Sequence, residues 1–338
     1  MNNGPLPIPV TILAGFLGAG KTTLLNHMLQ SLPARRIAVI QNDFGSVDTI
    51  TSEQNSTAHT VEVLAHGCVC CSLRSRLYTT LSRLVHTPRP PQHIIIEASA
   101  LAEPGAIAQL FLDPQLRRSM VLDAIFTVLD ARQSRRMTGD LAQLTRVQVR
   151  AADIIVLNKV DLVNAAGLRA ARTWLATLDV TAPIIESVSG RIPPDIFFAD
   201  AVATEASASP GRAPANAVSR PPHIPNGSPL ATVPSPAIVR WTYTSDVPLH
   251  LARLQAVLAG LLPSSLYRVK GVLYLTEETR TRTLLQIVGR RTTITDGGGW
   301  DETPHTRLAF TGACCGVEID ELQNQLDDCR VATQSSRS

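Results

Sequence analysis

The chain has 338 residues, 44% of them hydrophobic and 17% charged, with a formal net charge of +3. That is enough for one large domain or two ordinary ones with a full apolar core. The charge is too small for bulk attraction to nucleic acid. No apolar run reaches the roughly 18 residues that a membrane helix needs, so neither nucleic acid nor membrane is an expected partner. The start, MNNGPLPIPVTILAG, lacks a basic leader and runs into a strand, so a cytoplasmic location is expected. Thiols stay reduced there, which weakens a disulfide reading of the six cysteines.

In chain order, residues 8–14 (IPVTILA) read as a buried strand and 22–30 as the opening of a helix with Leu24, Leu25, Met28 and Leu29 on one side. Short apolar strands follow at 37–40, 94–96, 125–129, 154–157 and 184–188, with a further strand near 60–64. Continuous apolar strands separated by helices predict an α/β fold: a mostly parallel, P-loop NTPase-type sheet with helices on both faces. Residues 46–58 are polar and aperiodic and read as a loop. Residues 203–236, rich in Ala, Pro and Ser, read as a disordered linker between a domain at 5–200 and a smaller α+β domain at 237–330. The smaller domain is expected to run strand 239–243, helix 249–262, strands 268–275, 284–288 and 306–311, and helix 319–326. Leu251, Leu254, Val257, Leu258 and Leu261 give its first helix an apolar face.

Gly15-Phe-Leu-Gly18-Ala19-Gly20-Lys21-Thr22-Thr23 matches G-x-x-x-x-G-K-[ST] after a strand and at a helix start. Glycines let backbone N–H groups wrap phosphate oxygens, and the helix N-terminus favours the anion. Lys21 is expected to reach the β and γ phosphates and Thr22 a Mg²⁺ ion. About 140 residues on, Asn158-Lys159-Val160-Asp161 ends a strand. A carboxylate there accepts from guanine N1–H and N2–H₂, a donor pair that adenine lacks, so Asp161 points to GTP. Glu97, at the end of strand 93–97, is a candidate to hold Mg²⁺ or position the attacking water. Asp130, at another strand end, is its rival. Asp43, at the end of RIAVIQND, is a further acid for the same site. Two of the three lysines, Lys21 and Lys159, fall in these motifs.

Cys68, Cys70 and Cys71 stand within four residues, after the strand at 60–64. Three thiolates suit Zn²⁺, with Co²⁺ or Cu(I) as alternatives. His66, Glu62 and His59 are candidate fourth ligands, and an open fourth position would suit transfer of the metal. A tight apolar corner or a redox thiol pair are the other readings. Cys314 and Cys315 read as buried thiols, and Cys329 as incidental.

Together these residues resemble the CobW-type GTPases, a family of P-loop metallochaperones. The loop GFLGAGKTTLLN is intact at Gly15–Asn26. The family's NEFG is Asn42-Asp43-Phe44-Gly45, its GC[IV]CC is Gly67–Cys71, and its E-[TS]-[TS]-G-L-A-[DE]-P is Glu97–Pro104. Leu266–Tyr274 and Thr306–Gly312 are similar to strands of its C-terminal domain. The resemblance covers about residues 10–190 strongly and 237–328 more loosely. It implies a GTP-hydrolysing switch whose nucleotide state controls metal affinity at the thiols, with a metal-requiring client protein as partner. Three departures stand out. Ala100 replaces the γ-phosphate-sensing glycine. SVDTI follows Gly45, with Asp48 as the one acidic stand-in. The interdomain stretch carries only His223 where many members are histidine-rich. A regulatory GTPase with a fixed structural zinc, and a nucleotide-binding scaffold that no longer hydrolyses, are the alternative functions.

Overall fold

The computed structural model describes residues 7–32, 35–41, 59–63, 72–133, 136–198, 239–260, 266–313 and 316–331. The loop 46–58, the stretch 203–236, Asp43, Asp48, His66, Cys68, Cys70, Cys71, His223, Cys314 and Cys315 lie outside the described residues. The chain divides into two compact units, Gly4–Pro194 and a second that begins at Asp195. Among the described residues no helix is long and apolar enough to cross a membrane.

In the first unit, strands β1 (Ile8–Gly15), β2 (Ile37–Gln41), β3 (His59–Val63), β4 (His93–Glu97), β5 (Met120–Asp130), β6 (Ile154–Asn158) and β7 (Ile184–Ser187) form one sheet. Their order is β3-β2-β4-β1-β5-β6-β7, and every pairing is parallel. Side chains alternate faces along a strand, yet Val10, Thr11, Ile12 and Leu13 of β1 are all 0% exposed. Both faces are therefore covered, as the unbroken apolar runs predict. The covering helices are α1 (Lys21–Ser31), α2 (Ser72–Val85), α3 (Pro104–Ala108), α4 (Pro114–Arg117), α5 (Gly139–Ala151) and α6 (Ala165–Ala176).

Helical spacing sets the packing. Leu77, Leu81 and Leu84 of α2 fall on one stripe and join Val10, Ile12, Ala38 and Ile94 in a single apolar cluster. Val149 of α5 and Ala171 and Leu175 of α6 pack with Ile155 and Leu157 of β6 in another. Each fully buried Leu or Ile contributes about 1.5–3 kcal/mol relative to exposure. All-parallel strands put every C-terminal end at one edge, where open α/β sheets hold their ligands.

The second unit opens with α7 (Pro194–Phe197), which straddles the division. Its strands β8 (Val239–Ser245), β9 (Leu266–Leu273), β10 (Thr281–Val288), β11 (Arg291–Gly299) and β12 (Thr306–Gly312) form an antiparallel sheet ordered β11-β10-β9-β12-β8. Helices α8 (Leu251–Gly260) and α9 (Gly316–Asp327) supply Leu254, Leu258, Leu322 and Leu326 to its core, with Cys329 buried among them. Cys329 is thus a packed core thiol rather than an incidental residue. Strand β11 is absent from the sequence reading. Its RTTITDGGG is polar and glycine-ended, and it holds its place as an edge strand by pairing with β10.

Candidate functional site: a P-loop cleft

The site lies at the C-terminal edge of the parallel sheet, in a cleft of about 460 Å³ lined by the P-loop, Glu97, Asn158 and Asp161. Helix α1 starts at Lys21 behind Gly20, which has φ 105°, a left-handed conformation that costs glycine little. A Cβ at Gly20 would also collide with Nδ2 of Asn158. No side chain among the described residues caps this helix, so its first turn presents backbone N–H groups to an anion. Lys21 Nζ folds over the loop and donates to the carbonyl oxygens of Gly15 at 2.9 Å and Phe16 at 3.4 Å.

Glu97 ends β4 and is only 7% exposed. It is in register with Leu13 on β1 and with Gln41 on β2. Thr22 Oγ1 donates to Glu97 Oε1 at 2.7 Å, and Gln41 Nε2 donates to Oε2 at 2.9 Å. The carboxylate is thus aimed at the first turn of α1. Asp130 is placed differently. Its Oδ2 takes the Lys159 ammonium at 2.9 Å and its Oδ1 the backbone N–H of Arg132 at 2.7 Å. The geometry separates the two rivals and leaves Glu97 beside the P-loop threonine. A hydroxyl next to a carboxylate is a hard-oxygen pair of the kind that binds Mg²⁺, so Thr22 and Glu97 fit that ion.

Asn158 ends β6, between Asp130 on β5 and Ser187 on β7. Its Nδ2 donates to the Ala19 carbonyl at 2.9 Å, and its Oδ1 accepts from Gly190 N at 2.9 Å. Lys159 follows with φ 60° and donates to the Gly18 carbonyl at 2.6 Å. Both side chains therefore tie this turn to the phosphate loop. Asp161, on the short 3₁₀ turn Val160–Leu162, is exposed on the cleft wall.

Sequence reasoning passed over several residues here. Gln41 holds Glu97, and its signal is register with a candidate acid. Ser189 lines the cleft, and Gly190 approaches the backbone of Leu24 too closely for any side chain. Both follow β7, where Ser189 has φ 52°. Gln148 of α5 is 0% exposed and donates to the carbonyls of Ala100 and Ala102, both at 3.0 Å. Among the described residues no group of three His, Cys, Asp or Glu side chains is placed to hold a metal.

Comparison with known proteins finds matches along both parts of the chain. Residues 9–186 match the family described as CobW/HypB/UreG, nucleotide-binding domain, and residues 238–330 match the cobalamin synthesis protein cobW C-terminal domain. The chain is 31% identical over 315 residues to the zinc chaperone YjiA of Escherichia coli, covering 90% of this chain and 94% of that protein. It is 34% identical over 193 residues to the zinc-regulated GTPase metalloprotein activator 1 of Schizosaccharomyces pombe, covering 55% of this chain and 47% of that one. It is 32% identical over 226 residues to a zinc chaperone CobW of Sinorhizobium, covering 59% and 64%. The chain thus spans about half to two thirds of the length of the last two. The crystal structure of Zn(II)-bound YjiA GTPase superposes with a TM-score of 0.44 at 27% identity, covering 96% of this chain and 99% of that one. With the first family match spanning more than half of its length, the chain belongs to the CobW/HypB/UreG family.

Proposed function

We propose that the protein is a GTP-hydrolysing metallochaperone that carries a transition metal, Zn²⁺ or else Co²⁺, on Cys68, Cys70 and Cys71 and passes it to a client protein. One observation carries the nucleotide half. Asn158 bonds the NKVD turn to the P-loop at Ala19, so the phosphate cradle and Asp161 face a single cleft. The metal half rests on the three clustered thiols and on the likeness to proteins named as zinc chaperones.

In this reading Gly15, Gly18, Ala19 and Gly20 shape the loop around the phosphates, and Thr23 stands with them on the first helical turn. Lys21 exchanges its carbonyl contacts for β and γ oxygens. Asn158 and Lys159 hold the base-reading turn in place. Thr22 and Glu97, with Asp43, hold Mg²⁺, which when bound offsets charge on the β and γ phosphate oxygens. Glu97, held at both oxygens, also orients the water that attacks. Turnover is slow when no cation from a partner stabilises the leaving charge. Residues 5–200 act as the switch, 203–236 as a linker, and 237–330 as the module that meets the client.

The proposed coupling has a route along the chain. Gln41 bonds to Glu97 and is the last residue of β2. The chain from there leads through β3 to the cysteines, and α2 begins at Ser72, directly after Cys71. A nucleotide that moves Glu97 or Gln41 acts on the start of that path.

The test is nucleotide selectivity. The parent protein is expected to bind GTP at least about 100-fold more tightly than ATP, and Asp161→Asn to lose most of that ratio. Equal GTP and ATP affinity in the parent, or an unchanged ratio in the variant, contradicts the reading.

A further inference from the structure

Gln148 is a fully buried amide on α5, and the turn after Glu97 depends on it. Its Nε2 donates to the carbonyls of Ala100 and Ala102, each at 3.0 Å. The turn has one backbone bond of its own, Ala102 N to Ser99 O at 2.9 Å, and a long contact from Leu101 N to Ser99 Oγ at 3.4 Å. Ala98, Ser99 and Ala100 line the nucleotide cleft. A peptide is planar, so a carbonyl aimed at Gln148 aims the next residue's N–H the opposite way. By fixing two carbonyls, Gln148 fixes the direction of the Leu101 and Glu103 amides and the path of the backbone between them.

The side chain is not in place by accident of packing. Gln148 is 0% exposed, and its own carbonyl is anchored by Thr127 Oγ1 at 2.9 Å. Its Oε1 is buried and has no hydrogen-bond partner among the described residues. A buried amide usually uses both ends. Here the donor end is spent on the turn and the acceptor end is unspent. An amide can hold a peptide in either orientation: its N–H₂ serves a carbonyl, and its oxygen serves an N–H after that peptide turns over.

We propose that Gln148 is a positioning residue for the triphosphate state, a clamp on the Ser99–Ala102 turn that sets where its backbone meets the γ-phosphate. The proposal rests on the GTPase reading and extends it to a residue outside the cleft lining. Position 100 is alanine, which narrows the accessible φ, so the turn has few backbone conformations, and Gln148 holds one of them. The diphosphate is held by the P-loop, which Gln148 does not touch, so the two nucleotides separate the effects.

The experiment uses the full chain and the Gln148→Met variant, which keeps volume and loses both donors. Single-turnover GTP hydrolysis is measured with the affinities for GDP and a non-hydrolysable GTP analogue. The expected result is a fall of about tenfold or more in rate and in the analogue-to-GDP affinity ratio, with GDP affinity within about twofold of the parent. An unchanged rate and ratio, or an equal loss of GDP and analogue affinity, overturns the proposal and leaves Gln148 a packing residue. If the variant does not fold, the parent alone decides. The side-chain NH₂ resonance of Gln148 is then compared between GDP and analogue states. A shift between them supports the clamp, and an identical signal overturns it. A parent that binds no guanine nucleotide overturns the GTPase reading and this proposal with it. A parent that hydrolyses GTP, paired with an indifferent variant, sinks this proposal alone.

Discussion

Thr22 Oγ1 donates to Glu97 Oε1 at 2.7 Å, joining the first turn of the P-loop helix to a strand end 75 residues further along the chain. Parallel register produces the contact. Glu97 stands beside Leu13 at the end of β1, and the loop that leaves β1 returns Thr22 to the same level. Gln41, in register on the other flank, holds the second carboxylate oxygen. Two hydrogen bonds from neutral donors thus orient the acid.

Replacing that acid by its neutral isostere tests the arrangement. Glu97→Gln keeps an oxygen for the Thr22 hydroxyl but loses the charge that attracts Mg²⁺ and directs water. We expect single-turnover GTP hydrolysis to fall by about 100-fold, with GDP affinity within about threefold of the parent. Hydrolysis at the parent rate would return the role to another acid.

The tether between base turn and phosphate loop gives a second prediction. Gly20→Ala places a methyl group against Asn158 Nδ2 at a backbone angle that disfavours it. The bond from Asn158 to Ala19 is expected to break, with a stability loss of about 1–3 kcal/mol and a weakening of GTP binding by tenfold or more. Urea unfolding and nucleotide titration measure the two effects. Parent-like values in both would show that the loop tolerates a side chain there.

Much of this site is legible in the sequence because its motifs are local. Gly15–Thr23 and Asn158–Asp161 each encode a short turn whose chemistry needs those residue types in that order. Most strands of the large unit announce themselves by apolar runs, though β3 (HTVEV) and β7 (IIES) mix in polar residues. What escapes has a common cause, which is that its meaning is tertiary. Gln148 is one polar letter in an ordinary amphipathic helix until α5 packs against the turn at Ala100. Gln41 gains a role only through register with Glu97. Strand β11 is made of threonines and glycines, and a neighbour selects it as a strand. The thiols are the reverse case: plain as a cluster in sequence, they lie outside the described residues.

The second unit offers a pH prediction. Glu277 accepts from Leu251 N at the start of α8 with both oxygens at 3.2 Å. The Thr276 hydroxyl, followed by the backbone N–H groups of Glu277 and Leu251 and the nearby His250 ring, holds its carboxyl below the usual value of 4.5. A depressed folded-state value means that the ionised form favours folding. That contribution is present above 4.5 and is lost as pH falls through the folded-state value. Glu277→Gln is therefore expected to lower stability near neutral pH by a small amount that vanishes on acidification. Unfolding curves of parent and variant at several pH values check this. A gap that persists at low pH would point to packing instead.

The central claim is that nucleotide state and metal affinity are coupled. It is tested most directly by competition titration of Zn²⁺ into the reduced full chain, once with GDP and Mg²⁺ and once with a non-hydrolysable GTP analogue and Mg²⁺, with Cys70→Ser as control. The account predicts a metal affinity that differs between the two nucleotides by at least about fivefold and is lost in the control. The same zinc affinity in both nucleotide states would contradict it and leave the metal a fixed structural element of a regulatory GTPase.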